Sequence, residues 1–403
     1  MFSELITLSA LITAVLAGPI PTPKAGDVIT GQYIVVMMED ITAPNFQAHR
    51  DFVVNKLGFV SKRDTVEAMA ESTFTHTFNL GKLKGYSGRF DDATIEEIAS
   101  RPEVAYVEAD KIMTTQALVT QSNVPSWGLA RISHRNQGLT TFVYDSSAGA
   151  GTFAYVVDTG VLTTHTQFDG RAEVGYNAIS GESNADGNGH GTHVAATIAG
   201  STVGVAKLAS VIGVKVLNAS GSGATSGIIA GINWLVSDAQ GKSRIGRAVA
   251  NMSLGGSYSA SLNNAVAAAV SSGIPFIVAA GNSNANAANF SPASTFSAIT
   301  VGATDGTDAR ASYSNFGSNL DVFAPGSSIT SAWIGSNLSR NTISGTSMAS
   351  PHVCGLAAYL MAYEGLKSPS AVINRIIELS TADVVTNPGS GSSNRLVYNG
   401  SRQ

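Results

Sequence analysis

Three short segments, far apart in the chain, hold the residue types that can activate a hydroxyl: Tyr155-Val156-Val157-Asp158-Thr159-Gly160, Gly189-His190-Gly191-Thr192-His193 and Ser344-Gly345-Thr346-Ser347-Met348-Ala349. A serine hydroxyl attacks poorly until a base takes its proton, and the base needs a third group to hold its tautomer and carry its developing charge. Ser347, His190 and Asp158 could fill those three roles. Each also has a plainer reading when taken alone. Ser347 precedes a long apolar stretch reaching Met361, where a serine commonly caps a helix. The same position aims the N–H groups of a helix start at whatever lies above the serine, and Pro351 suits the first turn. Asp158, before Thr159-Gly160, could simply form a turn. His190 and His193 lie three apart on one helix face, a spacing open to a metal. A zinc-protease helix, however, reads His-Glu-x-x-His with an acid as base, and here Gly and Thr intervene. The metal reading is therefore weak, and His352, on the apolar stretch that follows Ser347, reads as structural.

The elements that would position these residues alternate. Residues 153–157, 210–217, 248–253, 274–279 and 298–303 are short β-rich runs with no regular polar face, as expected of strands covered on both sides. Residues 190–199, 225–236 and 259–271 read as helices between them. The pattern predicts an α/β fold, a mostly parallel sheet with helices on both faces. Such sheets place ligand sites beyond the carboxyl ends of their strands, where Asp158 and Asn282 both fall. Upstream, a strand over 33–38, helices over 46–54 and 93–101 and a strand over 102–108 predict a small α+β unit. Residues 111–123 read as a linker.

Charge separates the same two units. Residues 1–116 hold 15 of the 28 acidic and 10 of the 24 basic side chains, which leaves the longer remainder close to neutral. Nothing in that balance recommends a nucleic-acid partner. The single cysteine, Cys354, excludes an intramolecular disulfide and sits in an apolar run that predicts core packing. An apolar run over residues 5–17 has the length of a signal-peptide core and is too short to span a membrane well, although Glu4 precedes it and no basic residue does. A Pro-rich stretch, 18–24, follows. Glycosylation sequons begin at Asn218, Asn251, Asn289, Asn337 and Asn399. Asn251, inside a β-rich run, is expected not to be a surface site.

These motifs resemble the subtilisin family of serine proteases, whose order Asp, His, Ser they share. Val278-Ala279-Ala280-Gly281-Asn282 resembles the family segment carrying the oxyanion asparagine, which assigns that role to Asn282. Ser253-Leu254-Gly255 and Ser220-Gly221-Ser222-Gly223 resemble the two segments that sandwich a substrate backbone as an added strand. The first specificity pocket would be lined by Leu254, Gly255, Ala279, Ala280 and Gly281, small or apolar residues that imply a hydrophobic or aromatic residue before the scissile bond. Trp127 to Ser133 and Asn394 to Asn399 resemble the beginning and end of the mature fungal proteinase K-like enzymes, with the closest likeness to subtilases secreted by skin-infecting fungi. Val194 departs from the proteinase K-like pattern, which has cysteine there.

The resemblance implies a secreted, monomeric endopeptidase of broad specificity acting on proteins and peptides, with no stable membrane association. Its domains would be a signal peptide (1–17), a propeptide (18–116, inhibitor-like over about 30–113) that inhibits its own chain, and a peptidase domain (117–403). Self-cleavage would fall near Gln116-Ala117, leaving Met113 to Gln116 in the cleft like a product. No cofactor is expected for catalysis. Asp321 with the carbonyls of Phe296 and Ala298 matches a structural calcium site of the proteinase K-like pattern. Two other readings stand beside this one. A subtilase-shaped binding protein without catalysis would need a missing catalytic group, and none is missing. A dinucleotide-binding turn at Gly221 to Gly227 lacks the Gly-x-Gly-x-x-Gly spacing and the acidic strand end that should follow.

Overall fold

The computed structural model describes residues 28–56, 74–111 and 118–401. The expected signal segment, the Pro-rich stretch, Met113 and the Gln116-Ala117 junction lie outside them. The chain divides into two compact units, Met1–Thr115 and Gln116–Gln403.

In the first unit, β1 (Val28–Met37), α1 (Ala43–Lys56), β2 (Phe74–Leu80), β3 (Leu83–Arg89), α2 (Asp92–Ala99) and β4 (Val104–Lys111) build a four-stranded antiparallel sheet in the order β2-β3-β1-β4. The Asp91 side chain caps α2 by accepting from Thr94 N at 2.7 Å, which satisfies one orphan donor of the first turn. Val35, Met37, Val53, Tyr86 and Ile98 form the core between sheet and helices. The β2–β3 hairpin was not foreseen, because polar residues interrupt its alternation.

The second unit runs β5 (Leu118–Gln121), α3 (Trp127–Ile132), β6 (Phe142–Asp145), β7 (Phe153–Asp158), β8 (Ala172–Asn177), α4 (His190–Ala199), β9 (Ser210–Lys215), α5 (Thr225–Gly241), β10 (Ala248–Met252), β11 (Gly256–Ser257), α6 (Ala260–Ser271), β12 (Phe276–Ala279), β13 (Phe290–Ser291), β14 (Ile299–Thr304), β15 (Val322–Pro325), β16 (Ile329–Ala332), β17 (Arg340–Ile343), α7 (Thr346–Tyr363), α8 (Pro369–Leu379), β18 (Thr381–Ala382) and β19 (Arg395–Leu396). Its main sheet has the order β18-β19-β15-β14-β12-β10-β7-β9-β8 and is parallel except where β18 meets β19. Successive side chains point to opposite faces, so β7 sends Ala154 and Val156 into one core and Tyr155 and Val157 into the other. The first core is closed by α4, α7 and α8, the second by α5 and α6. The expected α/β sheet covered on both faces is thus present.

Two expectations need correction. Residues 111–123 are not simply a linker, since β4 runs to Lys111 and β5 pairs antiparallel with β6. Pro351 is not in the first turn. α7 starts at Thr346, which makes Pro351 its sixth residue.

From Met348 to Ala362 α7 is buried on all its faces, and Gly355 makes a close contact there. A Cβ there would lie 2.7 Å from Val205 Cβ and 2.9 Å from Ile198 O, the latter in α4. Gly355→Ala is expected to cost about 1–3 kcal/mol through overpacking, lowering the calorimetric unfolding midpoint by several degrees. An unchanged midpoint would show that the two helices can separate freely.

Candidate active site

Asp158 ends β7 and is fully buried. His190 opens α4, and the glycines beside it are there for steric reasons. Gly189 has φ +106°, and a Cβ on it would lie 2.4 Å from the Trp333 ring, while one on Gly191 would lie 2.1 Å from Gly160 O. The turn is pinned by Asp186, which sequence reasoning missed. Its Oδ1 accepts from Thr159 Oγ1 (2.8 Å), Asn188 N (3.0 Å) and Gly189 N (2.9 Å), and its Oδ2 from Thr192 N (2.9 Å) and Oγ1 (2.6 Å). Thr159 Oγ1 also accepts from Gly191 N at 2.9 Å. The loop carrying His190 is thereby tied to the residue next to Asp158.

His190 Nδ1 lies 2.8 Å from Asp158 Oδ1, which also accepts from Thr159 N at 2.7 Å. A carboxylate can only accept, so the proton sits on Nδ1 and the Nε2 lone pair is left free. Burial alone would favour the neutral ring, but the Asp158 charge and hydrogen bond outweigh it and Asp186 adds to them, so the imidazole pKa is raised above its ordinary 6.5. His193 and His352 behave oppositely, burial lowering both to about 4. His193 Nε2 meets Ile329 O at 3.0 Å, and His352 Nδ1 meets Met348 O at 2.8 Å. Both are packing residues, and among the described residues no group of three or more His, Cys, Asp or Glu could hold a metal.

Asn282 follows β12 on a loop shaped by buried Asn315. That side chain donates to Ala280 O at 2.8 Å and accepts from Ser283 N and Ala285 N at 3.0 Å. Gly281, at φ +99°, leaves room for it. Thr346 N and Oγ1 both donate to Asn282 Oδ1 at 2.9 Å. Two donors on one atom fix which end of the carboxamide is oxygen, so the Nδ2 donor is the end kept free beside Ser347. Ser347 is the second residue of α7, where a backbone N–H has no intrahelical acceptor. Its hydroxyl donates to Ser253 O at 3.2 Å and makes no hydrogen bond with His190 in this structure.

These groups open onto two adjoining cavities. One, of about 690 Å³, is lined by Thr159, His190, Gly221, Ser222, Gly223, Ser253 and Leu254 among others. The second, of about 290 Å³, is lined by Leu254, Gly255, Ala279, Ala280, Gly281, Asn282, Thr346 and Ser347, together with Phe290, Ser291 and Ala293. The last three were not foreseen. Phe290 and Ser291 form β13, which pairs with β11 across the pocket wall, and nothing local in the sequence announces that pairing.

The remaining candidates fall elsewhere. Asp321 accepts from Thr300 N at 2.8 Å, and burial raises its carboxyl to about 6. A cation beside the carboxylate would offset that burial. Of the named carbonyl donors, Phe296 has its side chain almost wholly exposed and Ala298 is buried. Asn289 and Asn337 are exposed and Asn218 is half-buried. Asn251 is fully buried. Asn399 corrects the expectation of a glycan, because it is 2 % exposed and its Nδ2 donates to Val143 O at 2.8 Å. Cys354 is buried within α7, and burial pushes its thiol pKa up.

Comparison with known proteins agrees with this geometry. Residues 149–398 match the subtilase family and residues 32–116 match the peptidase inhibitor I9 domain. An alkaline proteinase of Hapsidospora chrysogena is 50% identical, with 98% of each chain covered. A subtilisin-like serine protease of Sarocladium strictum is 56% identical over 79% of this chain and 81% of that one. The crystal structure of a cold-adapted subtilisin-like serine proteinase matches with a TM-score of 0.65 at 46% identity, covering 69% of this chain and 99% of the other. The chain belongs to the subtilase family of serine proteases and carries its inhibitor-type propeptide ahead of the peptidase domain.

Proposed function

We propose that the chain is a secreted endopeptidase zymogen in which Ser347 is the nucleophile, His190 the general base and Asp158 its orienting carboxylate. The observation that carries this reading is the Asp158–His190 hydrogen bond, which leaves Nε2 basic in a cleft continuous with Ser347. In the first step the Ser347 hydroxyl turns from Ser253 O toward Nε2, gives up its proton and attacks the substrate carbonyl. Resting enzymes often hold such contacts long. Asn282 Nδ2 and the Ser347 N–H then stabilise the oxyanion, the kind of fixed donor pair that is worth most in a dry site. His190 returns its proton to the leaving amine, and water repeats the sequence on the acyl-enzyme.

The substrate lies extended between Gly221 to Gly223 and Ser253 to Gly255. Its residue before the scissile bond enters the second cavity, whose Leu254, Ala279, Ala280, Phe290 and Ala293 lining favours hydrophobic or aromatic side chains. Cleavage at Gln116-Ala117 releases the mature enzyme, a monomer free of stable membrane attachment. Among the described residues no helix is long and apolar enough to cross a membrane. Asn218, Asn289 and Asn337 are the sequons open to glycans, and Asp321 with the carbonyls of Phe296 and Ala298 would hold a structural calcium.

Ser347→Ala is expected to abolish casein hydrolysis and to leave the precursor uncut in a host without other proteases; full activity would overturn the mechanism. Because the charge of Asp158 raises the His190 pKa, kcat/KM should fall with acidification through a midpoint above 6.5. A rate unchanged between pH 8 and pH 5 would contradict the role of His190. The raised carboxyl of Asp321 destabilises the fold near pH 7 unless a cation neutralises it. Calcium should therefore raise the unfolding midpoint and chelation lower it, and Asp321→Asn should abolish the response.

A further inference from the structure

Pro351 leaves a vacancy that a neighbouring strand fills. In an α-helix the N–H of residue 351 would donate to the carbonyl of residue 347, and proline has no N–H. The Ser347 carbonyl instead accepts from Ser253 Oγ at 2.8 Å. Ser253 lies just beyond β10 and is 3 % exposed. The direction of its hydroxyl is set from behind, since Asn251 Nδ2 donates to Ser253 Oγ at 2.9 Å and so sends the Ser253 proton to the Ser347 carbonyl. Asn251 is oriented in turn by Ser350 Oγ, which donates to its Oδ1 at 2.7 Å. Asn251 and Ser350 are both fully buried.

We propose that Ser253, set by Asn251 and Ser350, is a positioning residue that fixes the Ser347 backbone to the wall of the cleft. The proposal rests on Ser347 being the nucleophile. An ordinary residue at position 351 would close the helix bond within α7 and tie Ser347 to its own helix. The proline hands that carbonyl to the end of β10, the segment that also carries the cleft residues Leu254 and Gly255. Ser347 Oγ donates back to Ser253 O, so the two residues exchange hydrogen bonds at rest, and the carbonyl contact remains when the hydroxyl turns toward His190. This also accounts for Asn251: its sequon is spent on an internal contact in which both ends of the amide are used.

The mature enzyme carrying Ser253→Ala, Pro351→Ala or both separates this role from general packing. Ser253→Ala should lower kcat about tenfold, the scale of one hydrogen bond, with KM changed less than twofold. Adding Pro351→Ala should not recover that loss, because the new N–H of residue 351 satisfies the Ser347 carbonyl but ties it to α7 and not to the cleft wall. Wild-type kcat in Ser253→Ala, a rise in KM in place of the fall in kcat, or recovery of kcat in the double variant would each overturn the proposal. Should Ser253→Ala not fold, Ser350→Ala should still lower kcat about threefold at constant KM, and an unchanged kcat there would overturn it equally. Mass analysis of wild type treated with a phosphonylating reagent keeps the two readings apart. An adduct absent from Ser347 removes the nucleophile assignment and the positioning role with it, whereas an adduct on Ser347 beside an unaffected Ser253→Ala removes the positioning role alone.

Discussion

The geometry of the cleft depends on the confinement of α7. From Met348 to Ala362 every residue of this helix is buried, and its small and apolar side chains leave no solvent face. A helix gripped on all sides at interior packing density cannot slide or turn without opening voids or clashes. Its N-terminus is therefore a fixed point. Around it the sheet brings up the ends of β10 and β12, so that Ser253 and Asn282 meet the first turn and add polar constraints to a position already set by packing.

Those polar constraints share a design. Asp186 gathers the turn ahead of His190, Asn315 gathers the loop bearing Asn282, and Asn251 stands behind Ser253. Each is a short, buried, polar side chain that satisfies backbone or hydroxyl groups which no regular element could reach. Left half satisfied, such groups would destabilise the interior, and fully satisfied they favour one loop conformation over others. The proposed reactive groups thus stand at the ends of regular elements, as Asp158, His190 and Ser347 do, or on a loop, as Asn282 does, and those junctions are specified nearly as tightly as the sheet.

How much of this was legible depended on the range of the interactions. β7, β9, β10, β12 and β14 could be read because strands buried on both faces leave continuous apolar runs, and His190 to Ala199 because its helix boundaries match the periodicity. Asp158, His190, Ser347 and Asn282 were visible because each sits in a compact local phrase. β8 was missed because its edge position mixes Glu173 with an exposed Val174. Asp186 and Asn315 were missed because their meaning comes from what approaches them in space. Asn399 shows the same limit in reverse: a sequon is three residues long, while the partner that buries it, Val143, lies 256 positions away.

Leu254, Gly255, Gly256, Ser257 and Ser291 line both cavities of the cleft. The compartments therefore share a partition instead of having walls of their own. On the proposed binding mode, a larger side chain at position 254 would encroach on both at once and couple selectivity for neighbouring substrate residues. Variation of this enzyme's preferences would travel along a single axis more readily than along two, with independent tuning left to the unshared linings, Ala279 and Ala293 on one side and Ile228 and Leu262 on the other.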